Sequence, residues 1–215
     1  MQLKTNNKEQ IILEVAEKHF IEKGFTGTKT TEIADDAGVN HALLHYYFRT
    51  KENLFNQIFE QKAAQLLGCV LITVDNNANF LEKLKEGIET HFDILRENPK
   101  LPLFILREVV TDKSRKTFIE ENLFPVGKEL FQKFNAVVRK EIKKGGIRPI
   151  RPIDLLLNIA SLNLFAFVVA QILFDAEKEE DREKMQIYLE ERKKNNVELI
   201  INSLKIVTSN ELQGK

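Results

Sequence analysis

What this chain has little of narrows the search first. It holds one cysteine, Cys69, which excludes an intrachain disulfide framework. Its 32 lysines and arginines match its 32 aspartates and glutamates, for a formal net charge of +0, so bulk charge does not advertise nucleic acid or an anionic membrane. The opening stretch MQLKTNNKEQ has no apolar signal region behind it, and the expected location is a reducing cytoplasm. No convincing alternating strand pattern and no internal repeat is found. A Gly-rich phosphate loop, a Ser/His/Asp order and a paired-carboxylate motif are also missing. The expectation is a protein that is not an enzyme and needs no cofactor.

What is there is helical. With 215 residues, 43% of them hydrophobic, the chain can bury one good core, or a small module plus a medium one. Ile12, Val15, Ala16, His19 and Phe20 repeat at helical spacing up to Gly24, predicting a first helix over about 7–23. Thr28 is placed to cap a short second helix, Asn40 a third running through Tyr47, and Thr50 a fourth from Lys51 to about Leu71. Longer helices follow over roughly 79–97, 101–122, 126–144, 152–175 and 182–208, separated by Pro99, Pro125, Gly145-Gly146, Pro149 and Pro152. The class is all-α.

The most informative stretch is AGVNHALLHYYFRTKENLF, residues 37–55. A helix-turn-helix needs a small residue where its helices cross and a turn able to adopt positive φ; Ala34 and Gly38 supply these. Ile33, Ala37, Val39 and Leu44 fall at the inward offsets, and Tyr47 can close the set. His41, Ala42, Leu43, His45 and Tyr46 remain outward, a face of flat donors and small apolar groups with no carboxylate, which tolerates phosphate and base edges. Thr28 and Thr50 start helices whose N–H groups can meet phosphate, with Lys29 and Lys51 beside them.

On the segments GFTGTKTTEIADDAGV and LLHYYFRTKENLF, about the first 55 residues resemble the DNA-binding domain of the TetR/AcrR family of bacterial transcriptional regulators. The resemblance covers about a quarter of the chain. It implies a helix-turn-helix DNA-binding domain over 1–55 and a helical effector-binding and dimerisation domain over 56–215. It implies phosphate contacts from Thr28, Lys29 and Thr31, base contacts from His41, Ala42, Leu43 and His45 after the Asn40 cap, and phosphate contacts from Tyr46, Tyr47 and Lys51. His45 stands where the family usually has tyrosine and Leu43 where a small hydroxyl residue is common, which leaves base preference open there.

Other features have plainer readings. His41 and His45 have metal-ligand spacing, but zinc needs further ligands that the sequence does not place nearby, so no metal is expected. His19 and His91 read as satisfied core or pocket-edge histidines, and Cys69 as an inert small hydrophobe. LLLNIASLNLFAFVVAQILF, 155–174, has the length of a membrane span, yet Asn158, Ser161, Asn163 and Gln171 interrupt it on more than one face. A soluble helix of this kind needs cover on all sides. The final helix offers Val197, Ile200, Ile201, Leu204 and Val207, so the last two helices are expected to pair with their copies in a homodimer. The charged run EKEEDREK, 177–184, reads as a solvated connection.

The phenylalanines of the larger part read mostly as core. Phe92, Phe104, Arg107, Phe131, Asn163, Phe167 and Gln171 are the candidates for an apolar effector pocket with a few polar groups; Arg107 is equally a candidate for a structural ion pair. The resulting expectation is a ligand-responsive regulator, a repressor by family habit, that binds a palindromic double-stranded operator as a homodimer and is released by a small molecule. The alternative is a helical dimeric interaction protein or small-molecule carrier without sequence-specific DNA binding.

Overall fold

The computed structural model describes residues 2–72, 79–104, 108, 117 and 124–206. Among these the regular elements are α1 (Gln2–Gly27), α2 (Thr30–Asp36), α3 (His41–Phe48), α4 (Lys51–Ile72), α5 (Phe80–Glu97), α6 (Phe124–Lys143), α7 (Pro152–Leu173) and α8 (Glu179–Leu204). The all-α class expected from the sequence is the class observed. Residues 101–104 are helical; most of the rest of the helix expected over 101–122, with Arg107, lies outside the described residues.

The chain forms two compact units: residues 1–65 with 100–124, and 66–99 with 125–215. A division after residue 55 would cut α4 at Phe55, a fully buried residue, and the first unit continues to Gln65.

In the first unit α1 breaks at Gly24, whose φ of 71° and ψ of 178° are open essentially to glycine alone. The break exposes backbone groups, and side chains take them up. The Phe25 N–H donates to the Glu108 carboxylate at 3.2 Å, and the Gly24 carbonyl accepts from the Thr28 hydroxyl at 2.7 Å. Thr28 therefore does not cap α2. It is buried, its hydroxyl also reaches the His19 carbonyl at 3.1 Å, and α2 begins at Thr30 after Lys29, which gives no side-chain cap. The other two expected caps hold: Asn40 Oδ1 accepts the Leu43 N–H at 2.7 Å, and Thr50 Oγ1 the Asn53 N–H at 3.1 Å.

The core of this unit is aromatic. The Phe55 ring lies edge-on to Phe20 at 5.0 Å and to Phe25 at 5.2 Å, and 5.8 Å from Phe59 and 5.7 Å from Phe104. Ile12, Ala16, Ile33, Leu44 and Phe48 complete it. Polar contacts tie its helices together outside that core: the ion pairs Lys62–Glu17 and Lys23–Glu32, each at 2.6 Å, and the His19–Asp36 hydrogen bond at 2.7 Å.

Gly38 turns the chain from α2 to α3 with φ +63°, and a Cβ built there meets nothing within 4 Å. Gly38→Ala should therefore cost backbone strain alone, about 1 kcal/mol, read as a lower urea midpoint with an unchanged slope. A loss several times larger would mean that the turn is crowded as well as strained.

In the second unit α5, α6, α7 and α8 bury Leu84, Ile88, Phe134, Val138, Leu155, Val197, Ile200 and Leu204 in one cluster. Two expectations change here. Val197, Ile200 and Leu204 face this core, so they are not free to form a seam with another subunit; Val207 lies outside the described residues. The charged run is also not a connection. Glu179, Glu180 and Asp181 form the first turn of α8, where carboxylates complement the helix dipole.

Helix α7 is the one described helix long and apolar enough to cross a membrane. Leu155, Ile159, Asn163, Ala166, Phe167 and Ala170 are buried within the unit. Its opposite face leaves Leu157, Phe165 and Ile172 exposed, at 58%, 64% and 76%.

Candidate nucleic-acid interface

Helix α3 owes its position to two inward anchors, Leu44 and Phe48, and to the Gly38 turn. Seating these anchors leaves the opposite face open: His41, Ala42, His45 and Tyr46 are exposed, with Tyr46 at 68%, while Leu43 and Tyr47 are half-buried. The α3 helix contains no acid. The carboxylates of neighbouring α2 are largely engaged elsewhere, Glu32 with Lys23 and Asp36 with His19. The Lys23 hydrogen bond holds the Glu32 carboxyl below the ordinary carboxylate range, and the same contact holds Lys23 above the ordinary amine value.

Both imidazoles are oriented. His41 Nε2 meets the Thr30 hydroxyl at 2.9 Å, tying the start of α3 to α2. His45 Nδ1 donates to the Arg49 carbonyl at 2.8 Å, which leaves Nε2 as its other polar atom. The rings stand edge to face, 4.4 Å apart, so each limits the other's rotation. Preorganised planar groups lose little side-chain entropy when they meet base edges.

Just after α3 the backbone does something the sequence reading did not anticipate. Arg49 has φ 62° and ψ −53°, and the Thr50 N–H reaches back to the Phe48 carbonyl at 2.6 Å. This is a γ-turn of the rare, strained hand. The His45 ring bond to the Arg49 carbonyl and the Arg49 N–H bond to the His45 carbonyl, 2.9 Å, hold it closed. The turn then starts α4 at Lys51, whose ammonium lies 4.5 Å over the Phe25 ring.

Among the expected interface residues, the structure brings Asn40, His41, Ala42, Leu43, His45, Tyr46 and Tyr47 together at α3, with Lys51 following at the start of α4. Lys29, just before α2, and Thr31, on it, are exposed. Thr28 is withdrawn, because its hydroxyl serves the Gly24 break. Sequence reasoning missed Thr30, which steadies His41, and the bend at Arg49. A hydroxyl eleven residues before a histidine carries no local signal, and a non-glycine residue gives no warning of positive φ.

The candidate effector residues do not converge. Phe92 and Phe167 pack ring to ring at 4.8 Å in a buried cluster, Phe104 belongs to the core of the first unit, and Phe131 borders a groove of about 730 Å³ beside Arg139, Lys143 and Arg151. Gln171 donates to the Pro99 carbonyl at 2.8 Å and lies exposed. Asn163 is fully buried within a polar network. Large aromatics at helical spacing were spent on packing, and the open space lies elsewhere: a cavity of about 260 Å³ bordered by Leu84, Ile88, His91, Phe134, Ile159 and Leu164.

His91 is the polar group of that cavity. Burial pushes its pKa down from 6.5 to about 4, so the folded state holds it neutral. Unfolded chain binds the proton more readily, and stability is therefore full above pH 6.5 and lost as pH falls toward 4. The single-site loss is on the order of 3 kcal/mol. Thermal unfolding over this range should show the loss in the native chain, and His91→Leu should flatten that part of the profile.

The second unit thus pairs a cavity with the exposed apolar face of α7, and the first presents a cap-started, acid-free helix after a glycine turn. Together these define a helix-turn-helix DNA-binding regulator. Residues 12–58 match the bacterial regulatory proteins of the tetR family. The chain is 25% identical over 152 residues to the HTH-type transcriptional repressor KstR2 of Mycobacterium tuberculosis, covering 70% of this chain and 74% of KstR2. It is 28% identical over 166 residues to the regulator RutR of Escherichia coli K12, covering 77% of this chain and 76% of RutR. The structure of the regulator FadR from Bacillus subtilis, solved with stearoyl-CoA, shares the fold with a TM-score of 0.67 at 19% identity, across 92% of this chain and all of FadR (100%). The tetR-family match covers the helix-turn-helix segment, and the likeness to KstR2 and RutR extends over most of the chain.

Proposed function

We propose that this regulator is a cytoplasmic, ligand-responsive repressor that binds a palindromic operator as a homodimer and is released by a small molecule. The observation that carries the reading is the α3 face: two oriented imidazoles and an exposed tyrosine, with no carboxylate among them. Such a face suits the major groove, where base edges present donors and acceptors. His41, Ala42, Leu43 and His45 are assigned to bases, and Lys29, Thr31, Tyr46, Tyr47 and Lys51 to phosphate. The function divides between the helix-turn-helix part and the helical remainder.

Dimerisation is assigned to α7 and α8 through the residues each leaves open, Leu157, Phe165 and Ile172 on α7 and Leu199 on α8, which is 60% exposed. Apolar side chains at this spacing require a partner surface, and two-fold symmetry would place two α3 helices about one DNA turn apart. The similar KstR2 is a transcriptional repressor, which supports the sign. The proposed link from ligand to DNA is α4. That single helix carries Phe55 in the first core and Cys69 on the cavity wall, so a ligand that prefers one position of α4 biases DNA affinity.

The test is selection of the purified protein against a random duplex library near physiological salt. An enriched palindrome is the expected result, and enrichment of nothing at any salt would sink the reading. On the selected duplex, Lys51→Ala should lower the salt slope of binding by about one, whereas Tyr46→Phe should weaken binding with little change in slope. Unchanged binding in both variants would remove these two residues from the interface.

A further inference from the structure

The chemistry of the 260 Å³ cavity can be read from the network behind it. Arg192, which can only donate, gives a hydrogen bond to Asn196 Oδ1 at 2.8 Å. This turns the Asn196 amide nitrogen toward Asn163 Oδ1, 3.0 Å away. Asn163 Nδ2 in turn donates to the Ile88 carbonyl at 3.1 Å and lies 3.1 Å from His91 Nδ1. An obligate donor at one end and an obligate acceptor at the other fix both amide orientations without ambiguity. His91 Nδ1 must therefore accept, and the ring proton sits on Nε2. Burial keeps the ring neutral, with a pKa of about 4.

Among the described residues Nε2 has no hydrogen-bond partner, and His91 is part of the cavity wall, so its N–H is the ring group left for that space. The rest of the described wall is hydrocarbon apart from Cys69, whose thiol burial pushes up to about 11. Nothing on that wall can balance a charge. We infer that the cavity takes an uncharged, mainly apolar molecule of about ten non-hydrogen atoms, somewhat larger than the benzene held by a ~150 Å³ apolar cavity, which presents one hydrogen-bond acceptor to His91 Nε2–H. This rests on the proposed role of the second unit as the effector site and names the ligand class for it. The long charged ligand seen in the FadR structure does not match this space; a buried carboxylate or phosphate here would find no counter-charge among the described residues of the wall.

Three probes of similar shape separate the possibilities: propiophenone, propylbenzene and phenylpropanoate, titrated into the full-length protein by calorimetry without DNA. Propiophenone should bind about three- to tenfold tighter than propylbenzene, the worth of one hydrogen bond, and phenylpropanoate at least about a hundredfold weaker than propiophenone. In His91→Leu the preference for the ketone should vanish while propylbenzene still binds, which also shows that the cavity persists. Ketone binding should perturb the Nε2 proton resonance of His91 without moving the ring to its charged form. Carboxylate binding as tight as the ketone's, a ketone preference that survives in His91→Leu, or no binding of any probe would overturn the inference. Because these titrations contain no DNA, they stand apart from the regulatory reading. If the ketone binds as expected and leaves affinity for the selected duplex unchanged, release by ligand fails while the ligand chemistry holds.

Discussion

Replacing both imidazoles of α3, in His41→Ala/His45→Ala, is expected to lower affinity for the selected duplex by about a hundredfold or more while leaving weak binding to unrelated duplex nearly intact. A good base contact is worth about 1–3 kcal/mol of discrimination, and the two rings are the largest base-capable groups on the acid-free face. Non-specific binding comes from phosphate contacts, which this variant retains. The single variants should separate two roles. Among the described residues His41 is braced by the Thr30 hydroxyl and the His45 ring, both on the exposed face, so His41→Ala should change base preference with little change in melting temperature. His45 also donates to the Arg49 carbonyl that closes the strained γ-turn, so His45→Ala should lower both selectivity and melting temperature. Circular dichroism verifies that helix content survives, and quantitative binding to selected and scrambled duplexes gives the ratio. A double variant that still enriches the same palindrome with unchanged affinity would exclude both rings from recognition.

Phe55→Ala is expected to be the most destabilising single change in the first unit, at about 3–5 kcal/mol. The ring is fully buried and its neighbours come from α1 (Phe20 and Phe25), from α4 itself (Phe59) and from the helical segment holding Phe104, so no one helix can relax into the void. Small domains have only about 5–15 kcal/mol in hand, which makes this loss sufficient to deplete the folded DNA-binding unit on mild heating. Denaturant unfolding followed by circular dichroism should show an early transition for the first unit, with DNA binding lost in step. Tyr46→Ala, on the exposed face of the same unit, should leave that transition within about 0.5 kcal/mol of the native one. A loss at Phe55 no greater than that at Tyr46 would contradict the aromatic core as described.

Local signals carried the reading of the helices and of the exposed α3 face. Helical spacing, the Gly24 and Gly38 punctuation and the caps at Asn40 and Thr50 all act within about one turn of chain, where sequence neighbours are also spatial neighbours. The acid-free run from His41 to Tyr47 could be read for the same reason, since one eight-residue helix contains the whole face. What failed were assignments that depend on which helix meets which. Thr28 had the right residue type and position for a cap, but the break at Gly24 supplied a closer unpaired carbonyl. The stripe of Val197, Ile200 and Leu204 had the right period for a partner-facing surface, yet period alone does not say which core it meets, and α5, α6 and α7 cover it within the same chain. The charges at 179–181 suggest a solvated connection by composition, since acids look solvated anywhere, whereas they occupy the first turn of α8.

The effector site shows the same boundary most clearly. Composition allowed an apolar pocket in the larger part of the chain, but its listing by large aromatics selected the residues best suited to filling space. A cavity exists where side chains fall short of one another, and that shortfall depends on helix separations no single stretch encodes. His91 and Asn163 lie 72 residues apart in the chain and acquire their chemistry only in contact, where an amide orientation set by Arg192 decides which imidazole nitrogen holds the proton. The sequence by itself determined an all-helical chain with a glycine-turned helix-turn-helix, because those properties are local. Only the tertiary structure decided which face of each long helix is spent on the core, where empty space remains, and what hydrogen bond that space offers, because each depends on partners brought together from distant parts of the chain.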